Sequence, residues 1–340
     1  MRQQCNLRRS AITYLGSCFV SIALLGPAAL GQTCQGAADM EAASRTSIES
    51  ASQRYADMAV RGDSTSLQQN AIPSVASNFA GIEAAIKENH SNWAGAQPAQ
   101  RPVWLLQAPG TEKIERAEFL CGVFGAHGQT ANSAVFVIPN LPPGNYAVAT
   151  FDVASGKNPQ TLSFVLQQIG SDWKVGGFYA KPSQIASHDG NWFAERAREF
   201  KVKGHTRNAW LYFMQARDLL SPVPFMSTAV TDKLYDEMQT VQPSDLPVGG
   251  NTIDLAVGAK ACKLTNTYPV AFNDEINLVV KYQAGDVSNT AQTYQENIAL
   301  IKAIVAKYPE FREAFAGIVA RAVEPSGKDY GSLMAMKEIK

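Results

Sequence analysis

The sequence predicts an α+β protein in three parts. N-terminal helices precede an antiparallel sheet, a helical hairpin unit follows, and a small β-β-α-β-β layer closes the chain. Three observations carry this. Apolar residues recur at helical spacing before residue 100, the period drops to two between residues 101 and 181, and it returns to helical between 190 and 240. Helices followed by a run of adjacent hairpins give segregated α and β layers. Composition agrees with a packed chain: of 340 residues, 46% are hydrophobic and 18% charged, so the chain is neither disordered nor fibrous.

Residues 1–31 read as a secretory signal. Arg2, Arg8 and Arg9 form a positive head, an apolar stretch runs from Ala11 to Leu30, and Ala29-Leu30-Gly31 offers small residues for cleavage after Gly31. The rival reading is an uncleaved anchor, since the apolar stretch approaches spanning length. Pro27 and the small residues favour cleavage. Removing this segment takes three arginines and no acid from a balance of 30 against 30, leaving a net charge of −3. A nucleic-acid binder carries a basic excess, so that class is excluded. No later apolar stretch reaches spanning length, so no membrane contact is expected after cleavage. The predicted location is the periplasm or the extracellular space. Cleavage also removes Cys5 and Cys18 and leaves Cys34, Cys121 and Cys262, enough for one bridge and one free thiol. Spacing does not give the pairing. Cys121 lies in an apolar run where a buried free thiol is an equal expectation.

The first predicted domain covers residues 32–182. Residues 40–61 form a helix with Ile48, Ala51, Tyr55, Met58 and Ala59 on one stripe; Gly62 ends it and Asp63 begins the next segment. A second helix spans 78–90, with Phe79, Ile82, Ala85 and Ile86 on one face. Strands follow at 103–107, 115–124, 133–138, 145–153, 161–169 and 173–180, separated by turn-forming residues such as Pro142-Pro143-Gly144, Ser155–Pro159 and Gly170-Ser171-Asp172.

A long helix ending in Gly62-Asp63, with Leu67 and Pro73 after it, resembles the opening of the NTF2-like superfamily. The closing hairpin, with Leu162, Phe164, Leu166, Gly170, Trp173, Val175, Gly177 and Phe178, is similar to that superfamily's last two strands. The resemblance covers residues 40–181. It implies a curved sheet wrapped around a long helix, a cone open at one end. That fold hosts isomerases, dehydratases and non-catalytic modules alike, so it implies no single activity.

In residues 190–242, Ala197, Phe200, Gly204, Ala209, Phe213 and Ala216, followed by Pro222, resemble one tetratricopeptide-type helical hairpin. No second copy follows, and a solenoid needs several, so the hairpin reads as a packing unit. A third helix is expected at 227–239. Residues 243–260, rich in Pro and Gly, read as a connector. Strands at 260–267 and 275–282, a helix at 290–307 with Tyr294, Ile298, Ile301 and Val305 on one stripe, and a hairpin of 318–323 with 333–339 make the last domain, 260–340.

Catalytic patterns are sparse. Gly122-Val123-Phe124-Gly125-Ala126-His127-Gly128 lacks the Lys-Ser/Thr and the following helix of a phosphate loop, and reads as a strand end and turn. His90, His127, His188 and His205 lie far apart, so no helix face offers paired metal ligands; no cofactor and no metal is expected. In strand 145–153 alternate residues share a face: Tyr146, Val148, Thr150 and Asp152 on one, Ala147, Ala149, Phe151 and Val153 on the other. The second set is the more apolar and is expected to face the core, which puts Asp152 outside. Were Asp152 to line an apolar pocket instead, its raised pKa would suit a general base. Arg116 and Glu118 are expected on an exposed face. Trp104, Phe119, Tyr146, Asp152, Trp192 and Trp210 are the candidates for a pocket or groove, with Trp192 and Trp210 positioned to cover the first domain's sheet. The expected function is a non-catalytic module binding a small ligand or a protein. The alternatives are a small-pocket enzyme of isomerase, dehydratase or hydrolase type, and an envelope assembly component.

Overall fold

The computed structural model describes residues 31–125, 128–154 and 159–340. The signal-like segment before Gly31, His127 and most of the turn at 155–159 lie outside the described residues. The fold is mixed α+β, and its sheets do not close into a barrel.

The first helix, α1 (Ala42–Val60), buries the expected stripe: Ile48, Tyr55, Ala56 and Ala59 are inaccessible to solvent. Gly62 adopts φ +74°, and the Asp63 carboxylate accepts from Ser66 N to cap α2 (Ser64–Gln69). That bond, with neighbouring Arg61, holds the Asp63 carboxyl below its ordinary range. The next long helix, α3, spans Ala80–Trp93.

All six strands expected between 101 and 181 form, with ends shifted by a few residues, but they divide between two sheets. The larger holds β1 (Thr33–Gly36), β2 (Trp104–Ala108), β5 (Gly144–Val153), β6 (Gln160–Ile169) and β7 (Asp172–Pro182) in that order, with Ala99–Gln100 also paired to β5. The smaller holds β3 (Ile114–Cys121) and β4 (Ala134–Leu141), extended by β8 (Met226–Thr228) from beyond the helical hairpin. Strand β1 is not legible from sequence, because four residues carry no readable period. It is held by pairing to β2 and by a disulfide from Cys34 to Cys121 at the end of β3. Cys121 is therefore bridged, and among the described residues the free thiol is Cys262. At Val175 the outer strand β7 hydrogen-bonds to Asn70 and Ile72 beside a bulge at Gly176, which occupies part of that edge.

The helices α1 and α3 cover one face of the larger sheet. Phe164 lies 5.1 Å from Phe178, 6.0 Å from Phe151 and 6.5 Å from Tyr55 between ring centroids. The Tyr55 hydroxyl donates to Trp173 O at 2.5 Å, and Trp93 Nε1 donates to Gln160 Oε1 at 3.1 Å. Every large side chain on this face is thus packed, and its few polar atoms are bonded.

The opposite face was expected to meet solvent. It is buried instead, because the smaller sheet stacks on it: Tyr146, Val148 and Leu106 pack with Phe119, Phe136 and Ala117. Strand β5 is buried on both sides from Tyr146 to Phe151, while Gly144 and Asn145 at its start and Asp152 near its end reach the surface.

Helices α4 (Gly190–Val202) and α5 (Thr206–Leu220) form the expected hairpin around Gly204 at φ +77°, with α6 (Ala229–Gln239) beside it. Gly190 is required by contact: a Cβ there would stand 2.9 Å from Ala216 O and 2.6 Å from Leu220 Cγ of α5. The region read as a connector contains a strand, β9 (Ile253–Val257), whose alternation is masked by flanking glycines. It leads a five-stranded sheet with β10 (Lys260–Phe272), β11 (Glu275–Gln283), β12 (Gly317–Val323) and β13 (Asp329–Ala335). Asn273 and Asp274, both at positive φ, make the two-residue turn that lengthens β10 and β11. The last strand starts at Asp329 rather than 333, and Met336–Glu338 is a 3-10 turn. Helix α7 (Thr290–Lys307) links β11 to β12, which run parallel.

The helical hairpin and the last sheet share one apolar core, running from Phe193 and Phe213 to Ile301 and Ile318. Polar bonds join them too. Arg207 grips Asp245 at 2.7 Å and Glu310 at 2.9 Å, and the Tyr212 hydroxyl donates to Ala314 O at 2.6 Å. Hydrogen bonds from Arg207 hold the Asp245 carboxyl below its usual range. Gln32–Lys340 form one compact unit.

Candidate functional site

The stacked sheets do not cover each other completely. Where the smaller sheet ends, at Gly122–Val123 and Ala131–Ser133, a cleft of about 560 Å³ opens on the face of the larger sheet away from α1. Its other walls are the turn after β1 (residues 36–39), the strand entry at Arg101, Pro102 and Trp104, and the segment between α5 and α6. That volume suits a small molecule.

Each wall has a local cause. Gly122, at φ +80°, brings the β3 end so close to its partner strand that a Cβ would sit 2.2 Å from Asn132 O. Ser133 donates its hydroxyl to Val123 O and fixes that turn. The disulfide joins the two walls that start at Gly36 and Gly122, since Cys34 lies two residues before the first and Cys121 one residue before the second. On the far side Pro222 is drawn onto the sheet by a bond from Ser163 Oγ to its carbonyl, at 3.3 Å.

The floor is Thr150 of β5. It is 1% exposed, and its hydroxyl has no hydrogen-bond partner. Leaving such a group unpaired costs about 1–3 kcal/mol. Arg101 stands at the rim, bound through two nitrogens to the Asp152 carboxylate, its Nε at 2.9 Å from Oδ2. Both side chains of this pair are more than two-fifths exposed. The apolar walls are Pro102, Trp104, Leu220, Pro222 and Met226; Trp104 is held edge-on to Phe136 at 5.6 Å.

A second cleft of about 450 Å³ adjoins the first, sharing Ala131 and Leu220 with it. It lies against α4 and α6 and contains Gln129, whose Nε2 donates to Asp232 while its Oε1 is buried without a partner. Two further hollows, of about 340 and 300 Å³, are lined mainly by polar side chains such as Arg54 and Asp172, and Glu83 and His90.

Of the six residues singled out from sequence, Trp104 lines the main cleft and Asp152 holds its rim arginine. Phe119 is inaccessible between the two sheets. Tyr146 lies there too; its hydroxyl donates to Pro142 O at 2.8 Å, and burial raises its pKa. Trp192 stacks on His188 at 3.6 Å, and Trp210 is buried. Both pack with the helical hairpin and the last sheet, not over the first domain's sheet as expected. Arg116 and Glu118 face solvent 3.9 Å apart.

Sequence reasoning missed Arg101, Leu220, Pro222 and Met226, which come together only in the tertiary structure. Thr150 carried a signal: its neighbours Tyr146 and Val148 make the supposed outer face of β5 apolar as well, the mark of a strand buried on both sides. A Thr in such a strand needs a partner. Among the described residues no group of three or more His, Cys, Asp or Glu could hold a metal ion. No helix among them is long and apolar enough to cross a membrane. Comparison of the chain with family models, with curated proteins and with solved structures gives no match.

Proposed function

We propose that this chain is an exported, non-catalytic binding module whose site is the cleft between the two sheets and the helical hairpin. The observation that carries the reading is the buried, unpartnered Thr150 hydroxyl at the floor of a cleft of about 560 Å³. Buried polar groups are paired in folded proteins, so an orphan on a residue that lines a small-molecule-sized space is where an occupant's polar group would be matched. Among the described residues the charged groups on the cleft are Arg101 and Asp39, both exposed, and Arg101 is engaged by Asp152. That arrangement favours binding over acid/base chemistry. Export is supported by the signal-like N-terminus and by the disulfide, which persists in oxidising compartments. A long α1 across an antiparallel sheet ending in the β6–β7 hairpin supports kinship with the NTF2-like superfamily; the stacked second sheet is an addition to that plan. The α4–α5 pair supports the tetratricopeptide-like reading of residues 190–222 as a packing unit, since its inner face is filled by the last sheet.

A library of small molecules screened by ligand-observed NMR tests the site. Ala131 is exposed and borders both clefts, so Ala131→Trp fills them without disturbing the core. The expected result is a set of mutually competing ligands that the wild type binds and Ala131→Trp does not. Ligands retained by the variant, or none at all, would overturn the reading.

A further inference from the structure

We infer that the occupant of the main cleft is an uncharged molecule with an apolar, ring-sized body and one hydroxyl or carbonyl group, which meets the Thr150 hydroxyl. This rests on the proposed binding site and adds the class of ligand.

Four observations carry it. The body is set by the walls: Pro102, Trp104, Leu220, Pro222 and Met226 present two proline rings, an indole and two flexible aliphatic chains. Such surfaces reward apolar contact, and a Met adapts to an irregular outline. The polar contact is set by the floor, where among the described residues the one unpartnered buried side-chain atom on this cleft is Thr150 Oγ1. A hydroxyl both donates and accepts, so it matches either an alcohol or a carbonyl. The other lining hydroxyls are engaged: Ser133 Oγ donates to Val123 O, and Thr228 Oγ1 accepts from Thr231 N at the start of α6. Charge is set by the rim. The Arg101 guanidinium already holds a carboxylate through two nitrogens, and Asp39 is exposed and has no cation bound to it among the ion pairs of the described residues. An anionic ligand would have to displace Asp152 from Arg101. A cationic one would meet Asp39 only in water, where an ion pair contributes little.

Three probes of one ring system separate these terms: 2-naphthol, 2-methylnaphthalene and 2-naphthoate. They share an apolar body and differ in carrying a hydroxyl, nothing polar, or a charge at neutral pH. Affinity is read on the full chain with its disulfide intact, by tryptophan fluorescence and by probe NMR linewidth. The expected order is naphthol tightest, methylnaphthalene about three- to tenfold weaker, the range of one neutral hydrogen bond, and naphthoate weakest. Thr150→Val removes the hydroxyl and keeps the shape. It is expected to reduce naphthol to the methylnaphthalene level while leaving methylnaphthalene unchanged. A naphthol preference that survives Thr150→Val overturns the role of Thr150. Naphthoate binding tighter than naphthol overturns the uncharged class, as does failure of all three probes to bind. If in those cases Ala131→Trp still abolishes binding of the tighter probe or of a library ligand, the site stands and only the ligand class has failed. Probes that bind Ala131→Trp as well as wild type sink the site itself.

Discussion

The two faces of the larger sheet carry the same strands and end in opposite conditions. Toward α1, Phe164, Phe151, Phe178 and Tyr55 fill the space between helix and sheet, and the tyrosine hydroxyl and the Trp93 indole are both hydrogen-bonded. Toward the smaller sheet, the same strand β5 buries Tyr146 and Val148 and then, two residues on, leaves Thr150 without a partner beside open space. A helix laid along a sheet closes one face with its own side chains. A three-stranded sheet covers the other only as far as it extends, and the cleft begins where it stops. In this fold the helix side is closed by packing, while the sheet side keeps an open cleft.

The sharpest way to break this comparison is to cut into the filled face. Phe164→Ala removes a fully buried ring with three aromatic neighbours and is expected to cost about 3–5 kcal/mol, read by denaturant unfolding. A loss below about 1 kcal/mol would mean that this face is not the rigid one. Next comes the disulfide, which spans 87 residues and joins two walls of the cleft. Cys34→Ser with Cys121→Ser is expected to lower stability by about 2–4 kcal/mol and to weaken binding of cleft ligands. Unchanged binding would show that the cleft does not depend on that clasp.

The third prediction concerns pH and the other weld in the molecule. Asp245 has a lowered folded-state pKa, held down chiefly by hydrogen bonds from Arg207. A depressed carboxylate contributes stability above its unfolded pKa, and that contribution is lost as pH falls through the lower, folded value. Stability should therefore drop on acidification below about pH 4, and Asp245→Asn should flatten the drop while leaving cleft binding at neutral pH intact. A variant whose acid profile matches wild type would remove this pair from the account. The smallest effect is the most discriminating. Thr150→Val is expected to leave stability unchanged or raise it by about 1 kcal/mol, because an orphan polar group is replaced by an apolar one of the same shape. A clear loss of stability would mean that Thr150 is already satisfied in the free protein.

Much of the first domain was legible. The stripe of α1, the cap at Gly62-Asp63 and the β6–β7 hairpin follow from local period and turn chemistry, and they form where expected. The division of six strands between two sheets was not legible, because period two says that a residue alternates and not what covers each side. β1 and β8 were hidden for a related reason: three or four residues acquire strand geometry only from the partners they pair with. The cysteines show the same limit. Cys34 and Cys121 are far apart in the chain and meet only because β1 and β3 are brought edge to edge.

By itself the sequence determined an α+β chain with a signal-like N-terminus, a slightly acidic remainder, helices and strands largely in their observed places, and few catalytic patterns. These are properties of composition and of neighbours within a few positions, where sterics and hydrophobic period act locally. Only the tertiary structure decided that Thr150 faces a second sheet, that this sheet stops short, and that Arg101, Trp104, Pro222 and Met226 converge around the gap. A cleft is space left over when separate elements pack, and its outline depends on contacts between segments more than a hundred residues apart.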